Sequence, residues 1–339
     1  MSNFKVILTG PIDDAGTKML KEVAQVTISD PAESILMDDI VNVDAVIARA
    51  PAKITRNILD RAKRLKVIGR YGVGFDDIDI AAATEKGIPV VYAPGANVAS
   101  VAQHTICLIT ALANRLFWAD RALKEGRWKL RYKYEGIELC GKTIGIVGFG
   151  NIGAEVARIC KALGMEVSYF DNIRRQQLEK ELGVEFVRLT CKDKKEGLRV
   201  PRKLLQKSSV ISIHLPLTDQ TRNMIDTKEV RFIKKGAFLI NTARGGIVNE
   251  MALYNGLRSG KLAGLGLDVF EEEPPSPGNP LLELENVIGT PHIAGVTKDS
   301  SRRIAVMIAE DIIKVLHGEI PSNLANPEVF RTSRAQQSC

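Results

Sequence analysis

The stretch TIGIVGFGNIGAEVARICKALG, residues 143–164, decides the fold. Thr143 to Val147 reads as a buried strand that runs into Gly148, Gly150 and Gly153 and then into a helix closed by Gly164. This is the order strand, GxGxxG, helix. Gly148 permits the tight turn, Gly150 has no Cβ to block a pyrophosphate, and Gly153 lets the helix pack close to the sheet. The first helical amides, at Asn151 and Ile152, then face the anion together with the positive end of the helix dipole. Glycines are common, so the context matters: the next strand, EVSYF, ends at Asp171, 23 positions beyond Gly148. An acid at that spacing accepts hydrogen bonds from the adenosine ribose and repels a 2′-phosphate, which favours NAD over NADP. Arg174 and Arg175 lie near enough to pair with such a phosphate if their loop folds back.

Working outward, short apolar runs recur on both sides. Before the glycine turn, Phe4 to Leu8, Gln25 to Ile28, Ala45 to Ala48, Lys66 to Ile68 and Pro89 to Val91 read as strands, with helical spacers such as Thr17 to Val23 and Thr55 to Arg64. After it come Glu166 to Phe170, Glu185 to Val187, Val210 to Ile213, Ala237 to Ile240, Ala263 to Val269 and Val287 to Ile288. Strands alternating with helices imply parallel sheets covered on both faces, so the expected class is α/β with two doubly wound domains. Between the two series, Val98 to about Lys124 reads as one long buried helix with Asn97 as its cap. Ser300 to His317 reads as another, stopped by Gly318, with His317 a favourable charge against the macrodipole. The polar tail Ser333 to Cys339 is expected to fray.

A length of 339 residues accommodates two domains. Composition, 45% hydrophobic and 26% charged, is that of a globular chain and excludes disordered, collagen-like and coiled-coil classes. No apolar run reaches the 18 or so residues of a membrane span, and Met1 leads almost directly into a strand, so a cytoplasmic location is expected. Five cysteines without CxxC pairing suggest reduced thiols and no metal site. The net charge of +7 raises encounter rates with anions. Its densest part, Thr190 to Lys207, reads as a solvated loop and helix face; nucleic-acid binding is disfavoured because no aromatic side chain is interleaved for base stacking.

Three later strands end in residues unlike a core. Asn241, Thr242, Ala243 and Arg244 follow one, Glu271, Glu272 and Glu273 another, and Thr290, Pro291 and His292 the third. Ligands gather beyond the carboxyl ends of parallel strands. Exchange between a hydroxy acid and an oxo acid needs a hydride carrier, a proton donor and acceptor, and a cation for the carboxylate. His292 can trade a proton near neutrality, Glu273 can orient its ring and raise its pKa, and Arg244 can grip a carboxylate with both arms.

With RYGVGFDDID (70–79), VAQHTICLI (101–109), GKTIGIVGFGNIG (141–153), ISIHLPLT (211–218), INTARGGIVNE (240–250), GLDVFEEEP (266–274) and TPHIAG (290–295), the chain resembles the D-isomer-specific 2-hydroxyacid dehydrogenases. The resemblance implies that Arg244 binds substrate, that Glu273 and His292 form the acid/base pair, and that Val73 and Gly74 bind the substrate carboxylate through their amides. It also implies that Asp268 holds the nicotinamide carboxamide and that His214, Pro216, Thr242 and Gly295 line the cofactor. Formate dehydrogenases of this architecture carry glutamine in the role of Glu273, so glutamate points to hydroxy acid chemistry. His104, on the long helix, reads as a core or interface residue.

The implied layout is discontinuous: residues 1–97 and 297–339 form a flavodoxin-like substrate domain, and 98–296 an NAD-binding Rossmann domain, with the cleft between them and hinges near Asn97 and Val296. A homodimer through the cofactor domain is implied, with Leu116 to Trp128 as the candidate interface. Arg49, Arg70 and Asn97 match phosphoglycerate dehydrogenases, as does Arg131 at a loop of different length, while glyoxylate and hydroxypyruvate reductases share most of the motifs. The expected substrate is therefore 3-phosphoglycerate or glyoxylate/hydroxypyruvate. An NAD(H)-sensing corepressor of the same fold is the alternative from another class.

Overall fold

The computed structural model describes residues 4–330. Its strands β1 (Phe4–Leu8), β2 (Ala24–Ile28), β3 (Ala45–Ala48), β4 (Val67–Arg70) and β5 (Val90–Val91) pair in parallel in the order β2-β1-β3-β4-β5. This is the flavodoxin-like winding. A second sheet contains β6 (Thr143–Val147), β7 (Glu166–Phe170), β8 (Glu185–Phe186), β9 (Val210–Ile213), β10 (Ala237–Asn241), β11 (Leu262–Leu267) and β12 (Val287–Gly289), in the order β12-β11-β10-β9-β6-β7-β8. The winding reverses at β6, which pairs with β7 on one side and β9 on the other. A crevice therefore opens beyond the carboxyl ends of these three strands.

The chain divides into two compact units: residues up to Asn97 with those from Val296 onward, and Val98–Gly295. The first is discontinuous because the helix Lys298–Leu316 covers the first sheet. Its Ile304, Ile308, Ile312 and Leu316 recur at helical spacing and are buried with Val6, Leu8 and Leu20. Each such side chain contributes roughly 1.5–3 kcal/mol when fully buried. Two glycines record the close approach: a Cβ at Gly69 would lie 2.8 Å from both Ile308 and Ile312, and one at Gly16 would lie 2.6 Å from the Ala305 carbonyl oxygen.

The long helix expected over 98–124 is two helices, Val98–Ala113 and Leu116–Lys124. Arg115 takes a left-handed conformation, φ 51°, and the Ala113 carbonyl accepts the Ile137 N–H at 2.9 Å. That carbonyl is thereby taken by a distant segment, whose Gly136 approaches so closely that a Cβ would fall 2.7 Å from it. Apolar content on both sides conceals the break. Asn97 does not act as the expected cap: its Oδ1 is buried without a hydrogen-bond partner. The frayed tail expected at Ser333 to Cys339 lies outside the described residues.

The basic segment folds into two short helices, Cys191–Lys195 and Arg202–Lys207, the first begun by a reciprocal capping box between Thr190 and Asp193. Much of its charge is tied down. Lys203 and Lys207 pair with Glu185 at 2.7 and 2.5 Å, and Arg202 pairs with Glu196 while lying 4.1 Å over the Phe232 ring. Among the described residues no helix is long and apolar enough to cross a membrane, and no cluster of three His, Cys, Asp or Glu could hold a metal.

Candidate active site

The glycine turn after β6 has the geometry its sequence predicts. Gly148 has φ +96°, and a Cβ there would lie 2.7 Å from the His214 backbone. At Gly153 a Cβ would meet the Gly148 carbonyl oxygen at 2.2 Å, whereas above Gly150 nothing lies within 4 Å. Gly150 begins the helix Asn151–Ala162 with no side-chain cap, so the amides of Asn151 and Ile152 belong to a first turn open to an anion. At the end of β7, Asp171 accepts the Phe149 N–H at 2.6 Å and the Ile173 N–H at 3.1 Å, which fixes its carboxylate beside the turn. A bare space over Gly150, an uncapped helix end and an anchored acid suit a dinucleotide.

Across the crevice, His214 follows β9, with its Nε2 2.8 Å from Ser212 Oγ. Burial pushes its pKa down to about 3, so the ring is neutral. Pro216 accepts the Thr221 hydroxyl at 2.6 Å, bracing the same loop. Thr242, after β10, sits 2.9 Å from the Thr105 hydroxyl. Thr105 donates to the Val101 carbonyl, so Thr242 is the donor between the two.

The turn carrying Arg244 is shaped by Asn241, whose side chain accepts from Ala243 N and donates to the Arg244 carbonyl. Next to it, Gly245 lies so close to the loop after β11 that a Cβ would come within 1.6 Å of the Phe270 carbonyl oxygen. Glu273 is gripped at both oxygens: Oε1 accepts the Phe270 N–H at 3.2 Å, and Oε2 lies 2.7 Å from His292 Nδ1. Burial drives the Glu273 pKa up, but the His292 hydrogen bond, with the His292 and Arg244 charges, outweighs it and holds the carboxyl below its usual range. The bond to Glu273 raises the His292 pKa against burial and the Arg244 charge. The structure thus brings Arg244, Glu273 and His292 into one electrostatic neighbourhood.

Asp268 is 1% exposed and organises the loop that bears His292. It accepts Ile293 N at 2.9 Å, Ala294 N at 2.8 Å and the Thr290 hydroxyl at 2.6 Å. Thr290 in turn stands 3.0 Å from His104 Nε2. A hydroxyl has one proton, already given to Asp268, so His104 donates from Nε2. This relay of His104, Thr290 and Asp268 escaped the sequence reading; the signal available was Thr290, two residues from His292. The strain sits at His292 itself, with φ +53° held by N–H bonds to the Asp268 and Thr290 carbonyls. Gly295 ends this segment and unit.

The remaining candidates lie in the first unit. Val73 and Gly74 occupy the loop after β4 and are half-buried. Arg70, at the end of β4, is committed inward: its Nε pairs with Asp77 Oδ1 at 2.8 Å and its Nη1 donates to the Tyr71 carbonyl at 2.6 Å. Arg49 donates to the Pro11 carbonyl and lies 5.6 Å over the Tyr71 ring.

Comparison with known proteins converges on one family. Residues 106–294 match the family described as D-isomer specific 2-hydroxyacid dehydrogenase, NAD binding domain. A glyoxylate reductase of Korarchaeum cryptofilum is 39% identical over 96% of this chain and 97% of its own length. A D-3-phosphoglycerate dehydrogenase of Methanocaldococcus jannaschii is 41% identical over 95% of this chain but only 59% of its own. In structure, D-lactate dehydrogenase from Aquifex aeolicus, solved with NAD and lactic acid, superposes with a TM-score of 0.82 at 31% identity, covering 95% of this chain and 98% of that one. The chain therefore belongs to the D-isomer-specific 2-hydroxyacid dehydrogenase family and is a nicotinamide-dependent oxidoreductase.

Proposed function

We propose that this protein is an NAD-dependent reductase of small 2-oxo acids, with glyoxylate or hydroxypyruvate as substrate. The observation that carries the chemistry is the 2.7 Å contact of His292 with Glu273 within the field of Arg244. Bound nicotinamide supplies the hydride. Arg244 and the amides of Val73 and Gly74 hold the substrate carboxylate, the arginine through a planar fork. With Nδ1 anchored on Glu273, His292 presents Nε2 to the substrate oxygen, gives its proton during reduction, and in the reverse reaction takes the proton from the substrate hydroxyl. The reading also assigns substrate binding to Asn97, whose buried Oδ1 without a hydrogen-bond partner supports it. In this reading the first unit binds substrate and Val98–Gly295 binds cofactor.

The choice of substrate rests on Arg70. Its guanidinium is 15% exposed and already paired with Asp77, which leaves little charge for a substrate phosphate. The second reading, 3-phosphoglycerate, is favoured by the presence of Arg49 and Arg70 and by the similarity to phosphoglycerate dehydrogenases. NAD is preferred in this reading because Asp171, held beside the glycine turn by the Phe149 N–H, would repel a 2′-phosphate on the adenosine ribose. A homodimer through the cofactor unit is supported by the apolar side chains of Leu116, Phe117, Leu123 and Trp128, each more than half exposed.

One assay series tests the reading. NADH absorbance should fall with glyoxylate or hydroxypyruvate, more slowly with pyruvate, and NADH should form slowly from 3-phosphoglycerate. Inactivity with all four would leave the dinucleotide-sensing alternative.

A further inference from the structure

The loop beyond Asp171 contains an arrangement that the catalytic reading does not use. Glu179, on the helix Gln176–Leu182, is only 11% exposed although it is a carboxylate on a seven-residue surface helix. It accepts Arg174 Nε at 2.9 and 3.2 Å and Arg174 Nη2 at 2.8 Å, a bidentate fork. Its Oε1 also accepts the hydroxyl of buried Tyr169 at 2.6 Å, and that hydroxyl in turn accepts the Arg175 N–H at 2.9 Å. The Arg174 guanidinium lies 5.5 Å over the Phe186 ring. The Arg174 guanidinium is thus held from two sides, by the carboxylate and the aromatic face, while Tyr169 anchors Glu179 from behind.

Position gives this clamp its meaning. Arg174 is three residues beyond Asp171, on the loop that faces the adenosine ribose in the dinucleotide reading, and is one of the two cations there able to pair with a 2′-phosphate. We propose that Glu179 is a specificity-determining residue for the cofactor: by chelating Arg174 it withholds the guanidinium from a 2′-phosphate, and so discriminates against NADP independently of Asp171. The inference rests on the dinucleotide reading of the glycine turn. It requires that a residue outside the binding loop set the preference through a partner.

Binding titrations test this without turnover, by following tryptophan fluorescence as NADH or NADPH is added. Glu179→Gln keeps an acceptor for Tyr169 but surrenders the charge that holds Arg174. The NADPH dissociation constant should fall about tenfold relative to that for NADH, the worth of one charge-assisted hydrogen bond. Asp171 is present in both proteins and cancels. Adding Arg174→Ala to Glu179→Gln should erase the gain, while Arg174→Ala alone should leave NADPH binding unchanged, because the side chain is already withheld. An unchanged ratio in Glu179→Gln, a gain that survives loss of Arg174, or weaker NADPH binding by Arg174→Ala alone would each overturn the proposal. If neither dinucleotide binds the unaltered protein, the dinucleotide reading itself fails, a separate result.

Discussion

His292 Nδ1 and Glu273 Oε2 stand 2.7 Å apart, while the other Glu273 oxygen accepts the Phe270 amide. Both carboxylate oxygens are spent on orientation, so Glu273 acts on the imidazole and not directly on substrate. The raised His292 pKa fixes a sign. Reduction needs the imidazolium, so its rate should hold at low pH and decline as pH rises through that raised value; oxidation should do the reverse. Glu273→Gln keeps an acceptor for Nδ1 but removes the negative charge that favours the imidazolium, so both limbs should move to lower pH, visible in kcat/KM profiles. A limb that stays in place would remove Glu273 from this role. His292→Ala should lower kcat about a thousandfold, with NADH binding retained in a fluorescence titration.

The relay behind that pair makes a different prediction. Asp268 accepts two backbone N–H groups and the Thr290 hydroxyl, and in Asp268→Asn an amide NH2 must face at least one of those donors. The loss should be about 1–3 kcal/mol in urea unfolding, together with a fall in kcat as the His292 loop relaxes. Thr290→Val is nearly isosteric and breaks the link from His104 to Asp268, so kcat should fall with a smaller change in stability. His104→Gln, which keeps a donor, should outperform His104→Leu.

What was legible in the sequence follows from how local each signal is. Gly148, Gly150 and Gly153 could be read because a turn, a close approach and a positive φ each demand glycine within a few residues. Strands such as β6 and β9 could be read because parallel, doubly covered strands are continuously apolar. The break at Asn114 and Arg115 could not, since its cause is the Ile137 N–H, more than twenty residues away. The clamp of Glu179 on Arg174 and the engagement of Arg70 by Asp77 were hidden for a related reason. Charge on a side chain is written in the sequence, but the partner that spends it is not.

Two glycines of one turn should separate folding from binding. Gly150→Ala meets no atom within 4 Å and has φ −78°, so thermal stability should hardly change while NADH affinity drops as the methyl group enters the pyrophosphate path. Gly153→Ala would press a Cβ to 2.2 Å from the Gly148 carbonyl oxygen, and should cost about 1–3 kcal/mol of stability in any ligand state. Equal effects of both substitutions on melting temperature would show that Gly150 is held for packing instead.

Substrate choice gives the last test. Asp77 neutralises Arg70 across 2.8 Å, with both side chains less than one-fifth exposed. If that pair keeps phosphorylated acids out, Asp77→Asn should release the guanidinium while preserving size and an acceptor oxygen. The specificity ratio of 3-phosphoglycerate to the preferred small acid, measured as kcat/KM, should then rise by about tenfold, mostly through a lower KM for the phosphate compound. A buried pair also supports the fold, so the melting temperature serves as the control: a drop without any change in the ratio would make Asp77 structural only. Efficient oxidation of 3-phosphoglycerate by the unaltered protein would show that Arg70 can leave Asp77 for a phosphate, and would bring the phosphoglycerate reading to the front.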